Sequence, residues 1–284
     1  AALAWDHFTE VPAISIGLRE ASGVLPDGTV FNLPSDDAPP VPLAIRPYHP
    51  KDSLVYLGVV TERPGVPNAT LDEQDRHSAF RFGSAAVDVV DSNQGFPEPA
   101  PVQLGELRLQ LLPASELSGA YSAMPVARIV ERRADGQVVL DREFVGPSLS
   151  ANDCGLLRGY LGELRGLLSQ RIDALSGRLA NPGRGGVAEI AEFLLLQTVN
   201  RASALVEHLA NLPRLHPEQL YATCVELAGD LAAFGPDRKL SRPFPAYVHD
   251  DHGASFKPVM AQLRLALSMV LEQNAIPIEL HDRK

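Results

Sequence analysis

Leucine stands at positions 157, 161, 164, 168, 175 and 179, at spacings of three, four or seven. A helix gathers such positions onto one face, and a stripe this long must be covered. Tyr160, Leu167 and Ile172 widen it. Burial of each leucine contributes roughly 1.5–3 kcal/mol, so packing outweighs intrinsic propensity here. The pattern predicts a helix over about 153–180, with Asp153 able to cap its start and Asn181-Pro182-Gly183 ending it. A heptad-like seam of this length packs against other helices, either within the chain or in another subunit.

Three more helices are expected in the same half. One spans about 187–211 and stops before Pro213. The next runs over 217–234, with Pro217 in the first turn, where no N–H is needed, and His216 before it as a cap. The last covers about 253–274, along Phe256, Val259, Leu263, Leu267, Val270 and Leu271.

The first half reads differently. Prolines 26, 34, 39, 40, 42, 47, 50, 64, 67, 97, 99 and 101 break it into short apolar runs. Leu54–Thr61 is β-branched and apolar, and Leu104–Leu112 alternates, with Leu107, Leu109 and Leu111 on one face. Ala123–Glu131 and Val138–Phe144 flank Asp135-Gly136, a strong hairpin signal. Pro26-Asp27-Gly28 marks a second turn. The expected fold is therefore α+β: an antiparallel β-sandwich over residues 1–152, followed by a four-helix bundle over 153–284. A length of 284 residues, too great for one ordinary core, agrees with two domains.

The chain is 45% hydrophobic and 21% charged, which excludes a disordered or collagen-like chain. Its net charge of −10 argues against general nucleic-acid binding. Residues 1–152 hold 20 acidic and 11 basic side chains, while residues 153–284 hold 15 and 14, so a basic partner would be drawn to the first half. The apolar run Phe193–Leu196 is four residues long, far short of the roughly 18 a membrane span needs. No secretory signal is visible. The opening on Ala1 implies a trimmed start or a fragment. Cys154 and Cys224, about 70 residues apart in helical patterns, read as two apolar residues in a reducing cytosol.

The segment Tyr247-Val-His249-Asp250-Asp251-His252 has metal or acid–base ligand types. It follows the Pro-rich stretch Arg242-Pro243-Phe244-Pro245 and precedes a helix, so Asp250 and Asp251 read instead as cap and first-turn residues. Gly183-Arg184-Gly185-Gly186 lacks the Lys-Ser/Thr pair of a nucleotide loop. Gly146-Pro147-Ser148-Leu149-Ser150 has the wrong glycine spacing for a nucleophile elbow. Histidines 7, 49, 77, 208, 216 and 281 are scattered singly. No catalytic residue, metal site or cofactor is expected, and the chain does not read as an enzyme.

Several phrases, in order, carry a resemblance. They are Leu25-Pro-Asp-Gly-Thr-Val-Phe31, Met124–Arg132, Gly183–Gln197, Leu215-His-Pro-Glu-Gln-Leu-Tyr221, Leu227–Phe234, Arg242–Asp251, Phe256-Lys-Pro258 and Leu271-Glu-Gln273. Together they resemble the TssK (ImpJ/VasE) family of type VI secretion baseplate proteins, over about residues 20–280. The resemblance implies a β-rich shell, a helical neck and a head. It also implies a homotrimer joined through the neck, a shell bound to the TssF/TssG wedge, and a head bound to the membrane-complex proteins TssL and TssM. That would place the chain in the cytoplasm, at the inner-membrane face, without membrane insertion. It makes Arg242, Pro243, Pro245, Tyr247, His249, Asp250 and Asp251 a structural signature. Trp5-Asp-His-Phe8 so near the start and the stop at Lys284 imply a shell-plus-neck fragment lacking the head. Helical spacing then assigns the trimer seam to Leu157, Leu161, Leu164 and Leu168, with Phe256, Leu263 and Leu267. The alternatives are a structural protein of a phage tail or related contractile device, and a metal-dependent enzyme centred on His249–His252.

Overall fold

The computed structural model describes residues 8–11, 15–45, 51–70, 80–90, 93, 98–133, 137–180, 187–240 and 242–269. The chain is α+β and divides into two compact units. Unit 1 is Ala1–Cys154 with Val248–Gly253; unit 2 is Gly155–Tyr247 with Ala254–Lys284. The boundary thus falls two residues beyond the expected 152, and a short piece of the helical half belongs to the β-rich unit.

Unit 1 is built on β6 (Ser53–Val60), the inner strand between β10 (Gln110–Pro113) and β11 (Tyr121–Arg132), with β12 (Val138–Leu140) beyond β11. Alternation puts Val55, Leu57 and Val59 in the core, where they join Phe31, Met124 and Ile129. Where β6 meets β11 the backbones come so close that a Cβ on Gly58 would stand 2.7 Å from that of Ala123. The β11 register shifts between Pro125 and Ala127, a bulge beside a residue that cannot donate to the ladder. β11 and β12 pair antiparallel, as the hairpin signal requires; Asp135-Gly136 itself lies outside the described residues.

Among the described residues the other strands form three smaller sheets: β1 (Phe8–Val11), β2 (Ser15–Leu18) and β5 (Leu43–Ala44); β3 (Ala21–Val24) and β4 (Val30–Leu33); β7 (Ala69–Thr70), β8 (Phe82–Val89) and β9 (Ala100–Leu107). The Pro26-Asp27-Gly28 turn joins β3 to β4, with Gly28 at φ +89° and its N–H donating to Leu25 O at 2.9 Å. The alternating run Leu104–Leu112 is not one strand. Leu107, Leu109 and Leu111 are all buried, but the chain leaves β9 at Arg108 and enters a different sheet as β10. Periodicity records the buried face and is blind to the change of partner.

Arg81, buried at the start of β8, ties these pieces together. Its NH1 donates to Asp27 Oδ2 at 3.0 Å and to Val60 O at 2.8 Å, and its NH2 donates to the Thr29 hydroxyl. Asp27 also accepts from Thr29 N at 3.0 Å. Burial alone would raise the Asp27 carboxyl; the Thr29 hydrogen bonds and the Arg81 guanidinium outweigh it and hold it below its usual 3.8.

Unit 2 contains α1 (Gly155–Leu179), α2 (Val187–Ala210), α3 (Pro217–Ala232) and α4 (His252–Ser268), the first two residues of α4 falling in unit 1. His216 caps α3 with its Nδ1, which accepts from Glu218 N at 3.2 Å. α1 begins two residues after Asp153. The expected end of the first helix at residues 181–183, the Gly183–Gly186 loop, and Val270 and Leu271 of the fourth helix lie outside the described residues.

Because Asp27 titrates low in the folded chain, its contribution is complete above the ordinary carboxylate range and is lost as pH falls through the depressed value. Asp27→Asn should therefore cost about 1–3 kcal/mol near neutral pH, with the difference from the unaltered chain closing in acid. Urea titrations at several pH values read this directly.

Candidate assembly surfaces

The signature segment is divided between the units, residues 242–247 in unit 2 and 248–252 in unit 1. In unit 2, the Tyr221 hydroxyl donates to Pro245 O, and the Tyr221 and Tyr247 rings lie 5.7 Å apart. In unit 1, Arg128 NH2 donates to Asp251 Oδ2 at 2.6 Å, and its guanidinium stacks 5.3 Å from the Phe144 ring centre. His252 is fully buried; its Nε2 accepts from Ser148 N at 3.2 Å, and its backbone N–H donates to Val145 O at 2.9 Å. The acceptor role places the lone pair, not the proton, on Nε2. Gly253 sits so close to unit-1 backbone that a Cβ there would be 2.4 Å from Glu143 O.

This geometry gives the ligand-type residues other work. Asp251 stands immediately before α4, at the expected cap position, and its Oδ2 accepts from Arg128. Asp250 is exposed in the preceding turn, and together with burial it raises the Tyr56 phenol. His249 stacks edge-on against His252 at 5.3 Å. Arg242 and Pro243 are exposed. Among the described residues no three His, Cys, Asp or Glu side chains converge as a metal site would need. Cys224 is deeply buried, which pushes its thiol up to about 12.

The residues expected at a subunit seam are spent inside the protomer. Leu157, Leu161, Leu164, Leu168, Phe256, Leu263 and Leu267 are each 4% exposed or less in the single chain. A side chain with no free surface in one protomer has none to offer a second, so that assignment is corrected. They hold the bundle instead: Phe256 packs on Tyr160 and Tyr221 at 6.2 and 5.3 Å.

Ion pairs set the register of the bundle. Arg165 grips Glu207 with two bonds of 2.7 and 2.8 Å, Arg178 meets Glu192 at 3.4 Å, and Arg201 pairs with Asp230 of α3. Arg264 of α4 grips Glu163 with bonds of 2.6 and 2.8 Å; those bonds hold the Glu163 carboxyl below its usual value. Since α3 ends two residues after Asp230, the first half of α2 runs beyond it. There α2 buries Leu195 and Val199 but leaves Ile190 61%, Phe193 60% and Leu194 47% exposed. Arg171 is buried in the adjoining part of α1, its Nε without a hydrogen-bond partner. Burial lowers its pKa, the nearby Arg178 lowers it further, and Glu192 opposes both.

This exposed apolar face was missed from periodicity. The signal was present: Phe193-Leu194-Leu195-Leu196 is a run of four apolar residues, and a helix cannot turn four consecutive side chains to one core.

Apolar faces of this kind mark the class of chain that meets other proteins. The family follows from comparison. Residues 11–284 match the family model described as bacterial type VI secretion, VC_A0110, EvfL, ImpJ, VasE, and the chain belongs to that family. It is 41% identical over 268 residues to the type VI secretion system baseplate component TssK1 of Pseudomonas aeruginosa, covering 94% of this chain and 60% of that protein. It thus spans about three-fifths of that relative's length. A crystal structure of TssK aligns with a TM-score of 0.86 at 33% identity, over 100% of this chain and 65% of the other. A cryo-electron microscopy structure of a TssK-TssF-TssG baseplate subcomplex aligns with a TM-score of 0.76 over 94% of this chain and 86% of the other; at 24% identity it speaks for the fold alone.

The close approach at Gly253 predicts that Gly253→Ala costs about 1–3 kcal/mol, since backbone must give way. Gly229→Ala, on α3 with open space around the new Cβ, should instead be neutral or gain up to about 1 kcal/mol. Paired denaturant titrations of the two variants check the contrast.

Proposed function

We propose that this chain is the β-rich shell and helical neck of a type VI secretion baseplate adaptor. The observation that carries the reading is the 41% identity to the TssK1 baseplate component over 94% of the chain. In this reading the protein is a homotrimer. Its shell binds the TssF/TssG wedge, and a head outside these 284 residues reaches TssL and TssM at the cytoplasmic face of the inner membrane. Its work is mechanical positioning rather than chemistry. Three shells on one axis turn modest individual contacts into a strong multivalent attachment. Support for a scaffold comes from the uses already found for His252 and Asp251, which bind Ser148 and Arg128. Among the described residues no helix is long and apolar enough to cross a membrane.

The subunit contact belongs, in this reading, on the exposed face of α2. Ile190 and Leu194, four residues apart, share that face with Phe193 beside them. Copies related by a threefold axis could bury all three side chains, leaving the α1 stripe undisturbed.

Light scattering on a sizing column tests the trimer: a chain of 30.6 kDa should appear at roughly 92 kDa. Ile190→Asp with Leu194→Asp should reduce this to the monomer mass while the helical circular dichroism survives. Leu161→Asp, which buries a charge in the bundle, should melt the helical unit itself. A trimer that survives the α2 changes would remove the contact from that face.

A further inference from the structure

The antiparallel pair β8 and β9 has an apolar face left exposed beyond Gly83, where the Arg108 side chain lies. Its register sets Ala85 opposite Leu104, Val87 opposite Val102 and Val89 opposite Ala100. Paired residues share a face and alternate residues return to it, so all six side chains of this face are apolar. Leu104 is 47% exposed, Val87 and Val89 43% each, and Val102 39%. The opposite face carries Ala86, Asp88, Pro101 and Gln103, all exposed as well. β7 pairs with β8 over only Ala69–Thr70, against Phe82 and Gly83 at the base of the ribbon. Beyond that point it is two strands with both faces free, an arrangement marginally stable in water by itself.

Charge narrows what can cover it. Between residues 82 and 107 the sequence has acidic residues 88, 91, 98 and 106 and no Lys, Arg or His. An equivalent ribbon from a second copy would bring a like set of acids to the contact. Strand addition along β9 is also hindered near the ribbon tip, since Pro99 and Pro101 have no N–H to donate. A different chain whose apolar patch is rimmed by Lys and Arg satisfies both the apolar face and its acidic border.

We propose that the apolar face of β8–β9 is a docking surface for another protein, one presenting an apolar patch bordered by basic side chains. The inference rests on the baseplate reading and gives the shell–wedge attachment its residues: Val87, Val89, Val102 and Leu104 supply the contact, and Glu98 and Glu106 select a basic partner.

The test uses the 284-residue chain with the TssF–TssG subcomplex of the same source, co-purified and titrated by biolayer interferometry, alongside light scattering of the chain alone. Val87→Lys with Val102→Lys puts like charge against the basic rim and should weaken binding by roughly tenfold or more. Ala86→Lys, on the other face, should change it little. Both variants replace exposed side chains, so their melting temperatures should match the unaltered chain. Wild-type affinity in the Val87/Val102 variant would overturn this inference alone. So would a fall in that variant's own mass, which would make a second copy the occupant. Failure of the unaltered chain to bind TssF–TssG would overturn the baseplate reading and this inference together.

Discussion

The α1–α2 seam is the interaction on which the helical unit depends. Leu157, Leu161, Leu164, Leu168 and Leu175 of α1 are buried together with Leu195, Val199, Val206 and Leu209 of α2, all within one chain. At roughly 1.5–3 kcal/mol per side chain, no surface ion pair competes with this term. The pairs at Arg165–Glu207 and Arg178–Glu192 have a different role: they choose the antiparallel register in which the apolar stripes meet. Because the seam is complete inside one protomer, any association between protomers must draw on other surfaces.

Two such surfaces stand out, one in each unit, and they are built on different principles. On α2 a helix whose other side is already buried carries a second apolar face. On β8–β9 a ribbon has outrun the sheet that would have covered it. The ribbon carries four acids between residues 82 and 107, with the Arg108 guanidinium over Gly83 at its base, and the acidic excess suits contact with an unlike, basic partner. The signature segment belongs to neither. Its tight contacts at Asp251, His252 and Gly253 lie within unit 1.

Much of the architecture was legible in advance. The α1 stripe, the Pro217 start of α3 with its His216 cap, the Pro26-Asp27-Gly28 turn and the alternation of Leu107, Leu109 and Leu111 are local patterns, and each appears in the structure. Less legible was which partner each pattern would find. The α1 leucines were assigned to another subunit, although α2 satisfies them. The strand through Leu104–Leu112 proved to be two strands in two sheets. The metal-like cluster at His249–His252 could be weighed only by composition until Arg128 and Ser148, more than a hundred residues away, were seen to occupy Asp251 and His252.

The sequence by itself determined the α+β division, the helical stripes, the main turns and the kinship to a secretion-apparatus family. These follow from periodicity, turn chemistry and shared phrases, all readable within a few tens of residues. Only the tertiary structure decided that the longest leucine stripe is used up within one chain, that the Arg81 guanidinium gathers Asp27, Thr29 and Val60, and that apolar faces on α2 and β8–β9 are exposed. The reason is physical. A pattern states which side chains must leave water, whereas burial depends on which distant segment arrives to cover them, and that depends on the packing of the whole unit.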